Sequence, residues 1–211
     1  QKDIVKTSIA KFGLSRPAIL KHMNDLIKSG KVAANGNTRD RTYKLLPLVN
    51  YVQTFDIKSI DNIYQLIKDE FLYKLKFCTK NVYEICEFGM TAIINNVVDH
   101  ADGKTFTIKL LVIGQTIQIQ IMDDGIGIYK YVRQKLSLDS QQISVLEIAK
   151  GKITTDPEHH SGDDLQVVMN LFDQIIIESN GICIAYDLFN DSWSIIKEKN
   201  HLGTIIELKI K

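Results

Sequence analysis

Two pieces of the sequence decide how the rest is read: Phe88-Gly-Met-Thr-Ala-Ile-Ile-Asn-Asn-Val-Val-Asp-His-Ala101 and Ile121-Met-Asp-Asp-Gly-Ile-Gly-Ile128. If the first is a helix, Met90, Ile93, Ile94, Val97, Val98 and Ala101 fall at i, i+3, i+4, i+7, i+8 and i+11, which makes one apolar face. At roughly 100° per residue, Ala92, Asn96 and Asp99 collect on the opposite side, flanked by Asn95 and His100. A polar helix side is usually just solvated. The second piece raises the stakes, because a strand-like run, Gln115–Met122, ends there in an acidic pair followed by Gly-x-Gly. Glycine has no Cβ, so such a turn lets the backbone come close to a ligand.

These pieces, in this order and with two strand-like runs between them, resemble the N-box and the first glycine box of the GHKL ATPases. That superfamily includes histidine kinases, anti-sigma-factor kinases, and the gyrase and MutL ATP domains. The resemblance implies that Asn96 ligates Mg²⁺ held on a triphosphate and that Asp123 accepts the adenine amino group. It implies also that Gly125 and Gly127 shape the pocket and that Asp99 and His100 lie near the phosphates. Further on, the polar run KGKITTDPEHHSG (150–162) precedes a helical stretch, Asp163–Phe172. A loop before a helix N-terminus suits an anion, because free N–H groups and the helix dipole favour negative charge there. The run is similar to the family's ATP lid and second glycine box, and it adds Ser161 and Gly162 to the expected nucleotide contacts. Gly203-Thr204 resembles the point in the last strand where family members place a Thr beside the phosphates. The expected cofactors are therefore ATP or ADP with Mg²⁺.

Two positions depart from the family pattern. Catalytic members carry a Glu one turn before the N-box Asn, and here that residue is Ala92, in the middle of the expected polar face. Glu84 lies two turns further back, about 12 Å along the axis, and Glu87 points toward the apolar side. No catalytic residue is therefore expected, and at most a weak ATPase or kinase activity. Either the protein binds nucleotide without efficient hydrolysis, or Ala92 was introduced to trap a bound state. The second departure is Asp164, where the family has a glycine. A carboxylate there either weakens ATP by charge or is simply a good first-turn helix residue.

The first fifty residues hold ten Lys/Arg against three Asp/Glu, a net +7, while the remainder carries 16 against 22, a net −6. Such asymmetry points to a polyanion as partner of the first segment. Val5–Phe12 reads as a short helix closed by Gly13. Ser15 is a good N-cap, Pro17 fits a first turn, and the next helix runs to about Ser29 and Gly30. Ile19, Met23, Leu26 and Ile27 form its expected buried side, with Pro17, Lys21, Asn24 and Lys28 exposed. Lys31–Asn35 and Arg41–Leu46 are strand-like arms around Gly36–Asp40, good hairpin chemistry.

Helix, turn, helix and hairpin resemble a winged helix-turn-helix of bacterial regulators. The whole run with the 150–162 loop resembles a bacterial group that joins such a module to a GHKL domain. The resemblance implies that Ser15, Arg16, Pro17 and Lys21 face DNA bases while Lys28, Arg39, Arg41 and Lys44 meet phosphates. A winged helix can also serve protein contacts alone. The chain has few residues ahead of its first helix, so the module is expected to lack the helix that normally precedes the pair.

The expected architecture is α+β: residues 1–48 a winged helix-turn-helix, and 49–211 a GHKL-type α/β sandwich with a mostly antiparallel sheet. Pro47–Ile60 reads as an extended segment, and Ser59 or Asp61 caps a helix to about Leu75. Lys80 or Asn81 opens the long N-box helix, and Tyr129–Leu136 and Gln141–Ala149 are further helices. The tail supplies strands at 174–179, 182–189, 193–197 and 203–210, with hairpin turns at Asn180-Gly181 and Asn190-Asp191. Cys78, Cys86 and Cys183 lack C-x-x-C spacing and read as buried thiols. No run approaches the roughly 20 apolar residues that span a bilayer. No basic-then-apolar leader is visible, which fits a cytoplasmic protein.

Together these point to a DNA-binding transcriptional regulator with ATP–Mg²⁺ as ligand or switch. The alternative is an anti-sigma-factor-kinase-like enzyme acting on a protein partner; a third is a scaffold with a degenerate pocket. Regulators of this kind are frequently homodimers, though no heptad run supplies a seam.

Overall fold

The computed structural model describes residues 4–37, 40–150, 164–197 and 201–211. They form two compact units, residues 1–50 with the hairpin tip 111–115, and residues 51–110 with 116–211.

In the first unit α1 (Ile4–Phe12) ends at Gly13, whose φ of +65° lets its N–H reach the Ile9 carbonyl at 3.0 Å. α2 (Arg16–Lys28) starts as the sequence demands, with the Ser15 hydroxyl accepting the Ala18 N–H at 3.4 Å and proline in the first turn. β1 (Val32–Asn35) and β2 (Thr42–Leu45) pair antiparallel from Val32↔Leu45 to Asn35↔Thr42. Ile19, Met23 and Val32 are the buried centre, with Ile4, Val5, Ile9, Ile27 and Tyr43 packed around it. Leu26 departs from expectation: it is 37% exposed. The narrow stripe i, i+4, i+8 through Ile19, Met23 and Ile27 carries the contact, and a small core leaves no room for a wider one.

The second unit is α+β with a large antiparallel sheet. β3 (Val49–Asp56), β4 (Thr105–Ile113), β5 (Thr116–Asp123), β6 (Gln174–Ser179), β7 (Ile182–Asp187), β8 (Ser192–Lys197) and β9 (Thr204–Ile210) lie in the order β3-β4-β5-β9-β6-β7-β8. The last strand thus inserts between β5 and β6, antiparallel to both. Burial alternates along β4, β6 and β9 and along β5 as far as Met122, so one face of the sheet is apolar and covered. Ile206 is flanked by Ile121 and Ile177, and Leu208 by Ile119 and Ile175, and all six are 5% exposed or less. Each side chain so buried contributes about 1.5–3 kcal/mol. Asn180 (φ +49°) and Gly181 (φ +80°) form the left-handed pair that a two-residue hairpin loop requires.

α4 (Lys80–His100), capped by Thr79, runs 21 residues across this face and buries Met90, Ile93, Ile94 and Val97. Gly89 lets it sit close: a Cβ there would fall 2.5 Å from the Phe172 ring. α5 (Ile128–Lys135), α6 (Gln141–Lys150) and α7 (Asp164–Leu171) complete the unit. Two expectations need correction. The cap of α3 (Ile63–Glu70) is Asn62, whose Oδ1 accepts the Gln65 N–H at 2.9 Å, rather than Ser59 or Asp61. The helix also stops at Glu70 and a 3₁₀ turn, Leu72–Leu75, takes over. Phe71, Leu72 and Leu75 are all fully buried there, so packing overrides helical continuation. Among the described residues no helix is long and apolar enough to cross a membrane. The three cysteines are free thiols, and burial pushes Cys86 up to about 12, so it stays protonated.

Candidate functional site

The acidic pair closes β5, and the structure gives its two members different work. Asp123 follows Met122↔Ile205 in the β5–β9 ladder, which brings it beside Thr204. Its Oδ1 accepts the Gly125 N–H at 2.9 Å and the Thr204 N–H at 3.3 Å. Burial pushes this carboxyl above its ordinary value, against the opposing pull of the Gly125 and Thr204 donors. Asp124 is spent on the fold. Its Oδ1 takes the N–H groups of Lys104 (2.7 Å) and Thr105 (2.9 Å), and its Oδ2 takes the Thr105 hydroxyl (3.0 Å). Partial burial pushes it up, but those donors outweigh that and hold it below the usual carboxylate range.

Around Asp123 the backbone is packed to contact. Gly203, at φ +79°, passes so close that a Cβ would lie 1.9 Å from the Asp123 carbonyl oxygen. A Cβ on Gly125 would lie 2.0 Å from the Ala101 carbonyl oxygen, which also accepts the Ile126 N–H at 2.9 Å. The glycine turn therefore caps the C-terminus of α4. Gly127, at φ +89°, abuts Ser179 and Asn180, both within 2.4 Å of where a Cβ would stand.

Ser179 and Asn180 do more than turn the chain. Asn180 donates its amide to the Ile126 carbonyl (3.1 Å) and accepts the Lys130 N–H (3.2 Å) on Oδ1. The fully buried Ser179 hydroxyl lies 2.8 Å from the Gly203 carbonyl and 3.0 Å from Asn180 Oδ1. Thr204, 6% exposed, accepts the Ile128 N–H on Oγ1 at 2.9 Å. So Asp123, Gly125, Gly127 and Thr204 do come together, fastened by two residues that the sequence marks only as a hairpin turn. Nothing in an Asn-Gly pair says which loop its side chain will hold.

The remaining expected contacts lie on α4. Asn96 is half-buried and has no hydrogen bond to the Asp123 shell among the described residues; Asp99 is exposed. Asn96 precedes Ala101 by five residues, about 7.5 Å along the axis, so it lies near the helix end that the glycine turn touches. His100 stacks on Tyr131 of α5 with centroids 5.3 Å apart, and its Nδ1 is 3.1 Å from the Tyr131 hydroxyl. Ala92 corrects the simple picture of a polar face: it is 5% exposed. α4 also touches α3 and α7 as well as the sheet, so flanking elements bury more than its one apolar stripe. Asp164 opens α7 in its first turn, where a carboxylate favours the helix. Ser161 and Gly162 lie outside the described residues.

No protein-family model matches this chain, and no curated protein matches it. In the first unit, Ser15, Arg16, Pro17, Lys21, Lys28, Arg41 and Lys44 are all exposed, and Arg39 lies outside the described residues. The Ser15 hydroxyl is engaged as the helix cap. The Arg41 guanidinium rests 5.6 Å from the Tyr43 ring centroid, which holds its charge on the hairpin. Phe12 (62%) and Leu14 (41%) are exposed beside the start of α2, apolar groups that the charge pattern alone does not single out. Among the described residues no cluster of three His, Cys, Asp or Glu could hold a metal ion.

Proposed function

We propose that residues 49–211 form a GHKL-type nucleotide-binding domain, that residues 1–48 form a DNA-binding winged helix-turn-helix, and that the chain is a transcriptional regulator responsive to ATP–Mg²⁺. The observation that carries the nucleotide reading is the half-buried Asp123 at a strand end, with one oxygen held by Gly125 and Thr204 on a floor of tightly packed glycines. An ionised carboxylate accepts hydrogen bonds and cannot donate them, so it favours an exocyclic amino group over a carbonyl at that position. With one side-chain amide as its only expected protein ligand, Mg²⁺ would depend on phosphate oxygens from the nucleotide. By the resemblance to the N-box, Asn96 would add that ligand. The buried Ala92 supplies no base and no space for a solvated one, which supports binding over turnover.

Calorimetric titration tests this reading. ATP with Mg²⁺ gives a saturable heat that Asp123→Ala abolishes; absence of heat at about millimolar nucleotide, a binding energy near 4 kcal/mol, overturns it.

A further inference from the structure

β3 stands at one end of the sheet order, and among the described residues no strand pairs with its side away from β4. The contacts Ile57 N–H to Lys104 carbonyl (2.9 Å) and Thr54 to Thr107 (2.8 Å) set it antiparallel to β4. Its inner side is anchored. Tyr51 meets the Phe71 ring edge-on at 5.4 Å and donates its hydroxyl to Glu70 at 2.8 Å, and Phe55 packs on Phe106 at 5.4 Å. Edge strands normally carry a lysine, a proline or a bulge, or are very short, because their unpaired backbone groups invite another strand. β3 is eight residues long, VNYVQTFD, with neither lysine nor proline and a single charge at its last residue, Asp56. Near its midpoint Val52 is 51% exposed. β8, at the other end, is six residues and finishes on Lys197.

We propose that β3 pairs antiparallel with β3 of a second copy of this chain about a two-fold axis near Val52. The charge pattern selects the orientation, and the self-complementary placement of Val52 near the strand midpoint selects the occupant. Antiparallel pairing with Val52 opposite Val52 sends the two Asp56 carboxylates to opposite ends, roughly 26 Å apart at about 3.3 Å per residue, whereas parallel pairing would set them side by side. A two-fold axis at Val52 also sets the two exposed valines directly opposite on one face, so each covers apolar surface of the other. Because Tyr51 and Phe55 already fix the strand, pairing orders little that was free. This pairing requires neither nucleotide nor DNA.

The test is sedimentation of the full chain over a dilution series, with Val52→Lys and Val52→Asp variants checked by thermal melting. The wild type is expected to be a dimer. Each variant alone should weaken it about tenfold while keeping its melting temperature, and an equimolar mixture of the two should restore it. A wild type that stays monomeric throughout overturns the proposal. So does a dimer that ignores both charges, or a mixture that stays dissociated.

Discussion

Asp123 and Asp124 are adjacent carboxylates that respond to pH with opposite signs. Asp123 sits above its ordinary value because of burial, so its contribution favours the fold below the usual carboxylate range and is lost as pH rises through the raised value. Asp124 sits below it, so its contribution is present above the usual range and is lost as pH falls through the lowered value. Asp123→Asn should therefore raise the melting temperature near pH 7, with the gain closing toward about pH 4, and it should also lose the nucleotide heat. Asp124→Asn should lower the melting temperature near pH 7, since an amide cannot accept three bonds on two oxygens. Melts across pH check both; equal responses would mean the two carboxylates share one role. The sequence marks Asp123 through its Gly-x-Gly context, but this division of labour was hidden. It depends on the N–H groups of Lys104 and Thr105, which reach Asp124 only once β4 lies alongside.

Among elements, α4 was the most legible, because it opens at Lys80 and buries Met90, Ile93, Ile94 and Val97 of its expected apolar stripe. α3 was less so, since Phe71 and Leu72 read as helix continuation until the burial they gain by leaving it is known. The buried state of Ala92 was unreadable for a related reason: α4 packs against α7, which comes from distant sequence, as well as against α3. Gly89 provides a quantitative check on how closely α4 is seated. Alanine is favoured over glycine in a helix by about 1 kcal/mol, but a Cβ 2.5 Å from the fully buried Phe172 ring overpacks the core, at a cost of about 1–3 kcal/mol. The clash should win. Gly89→Ala is expected to destabilise by about 1 kcal/mol net, and in a Phe172→Leu background the same change should become neutral or stabilising. Urea unfolding of the four proteins measures the coupling.

For the whole molecule, charge asymmetry makes the strongest statement. If Lys28, Arg39, Arg41 and Lys44 each neutralise one phosphate, log K for duplex DNA should fall against log salt with a slope of about −3.6 per chain. Lys44→Ala should reduce that slope by about 0.9, evenly across DNA sequences, whereas Arg16→Ala should alter sequence preference instead. Fluorescence anisotropy at several salt concentrations reads both effects. A slope near zero would make the first fifty residues a protein-contact module. The strands and their hairpins were legible as period-two patterns and turn pairs. The insertion of β9 between β5 and β6 was not, because strand order is a long-range choice that no local pattern encodes.

Gly203 passes so close to Asp123, and Gly125 so close to the end of α4, that neither position has space for even one methyl group. Any side chain at either position would break the turn itself, so a small molecule resting there would meet backbone that substitution at the glycines cannot reshape. Escape from a compound bound against this turn would have to arise at the side chains around it rather than at the two glycines.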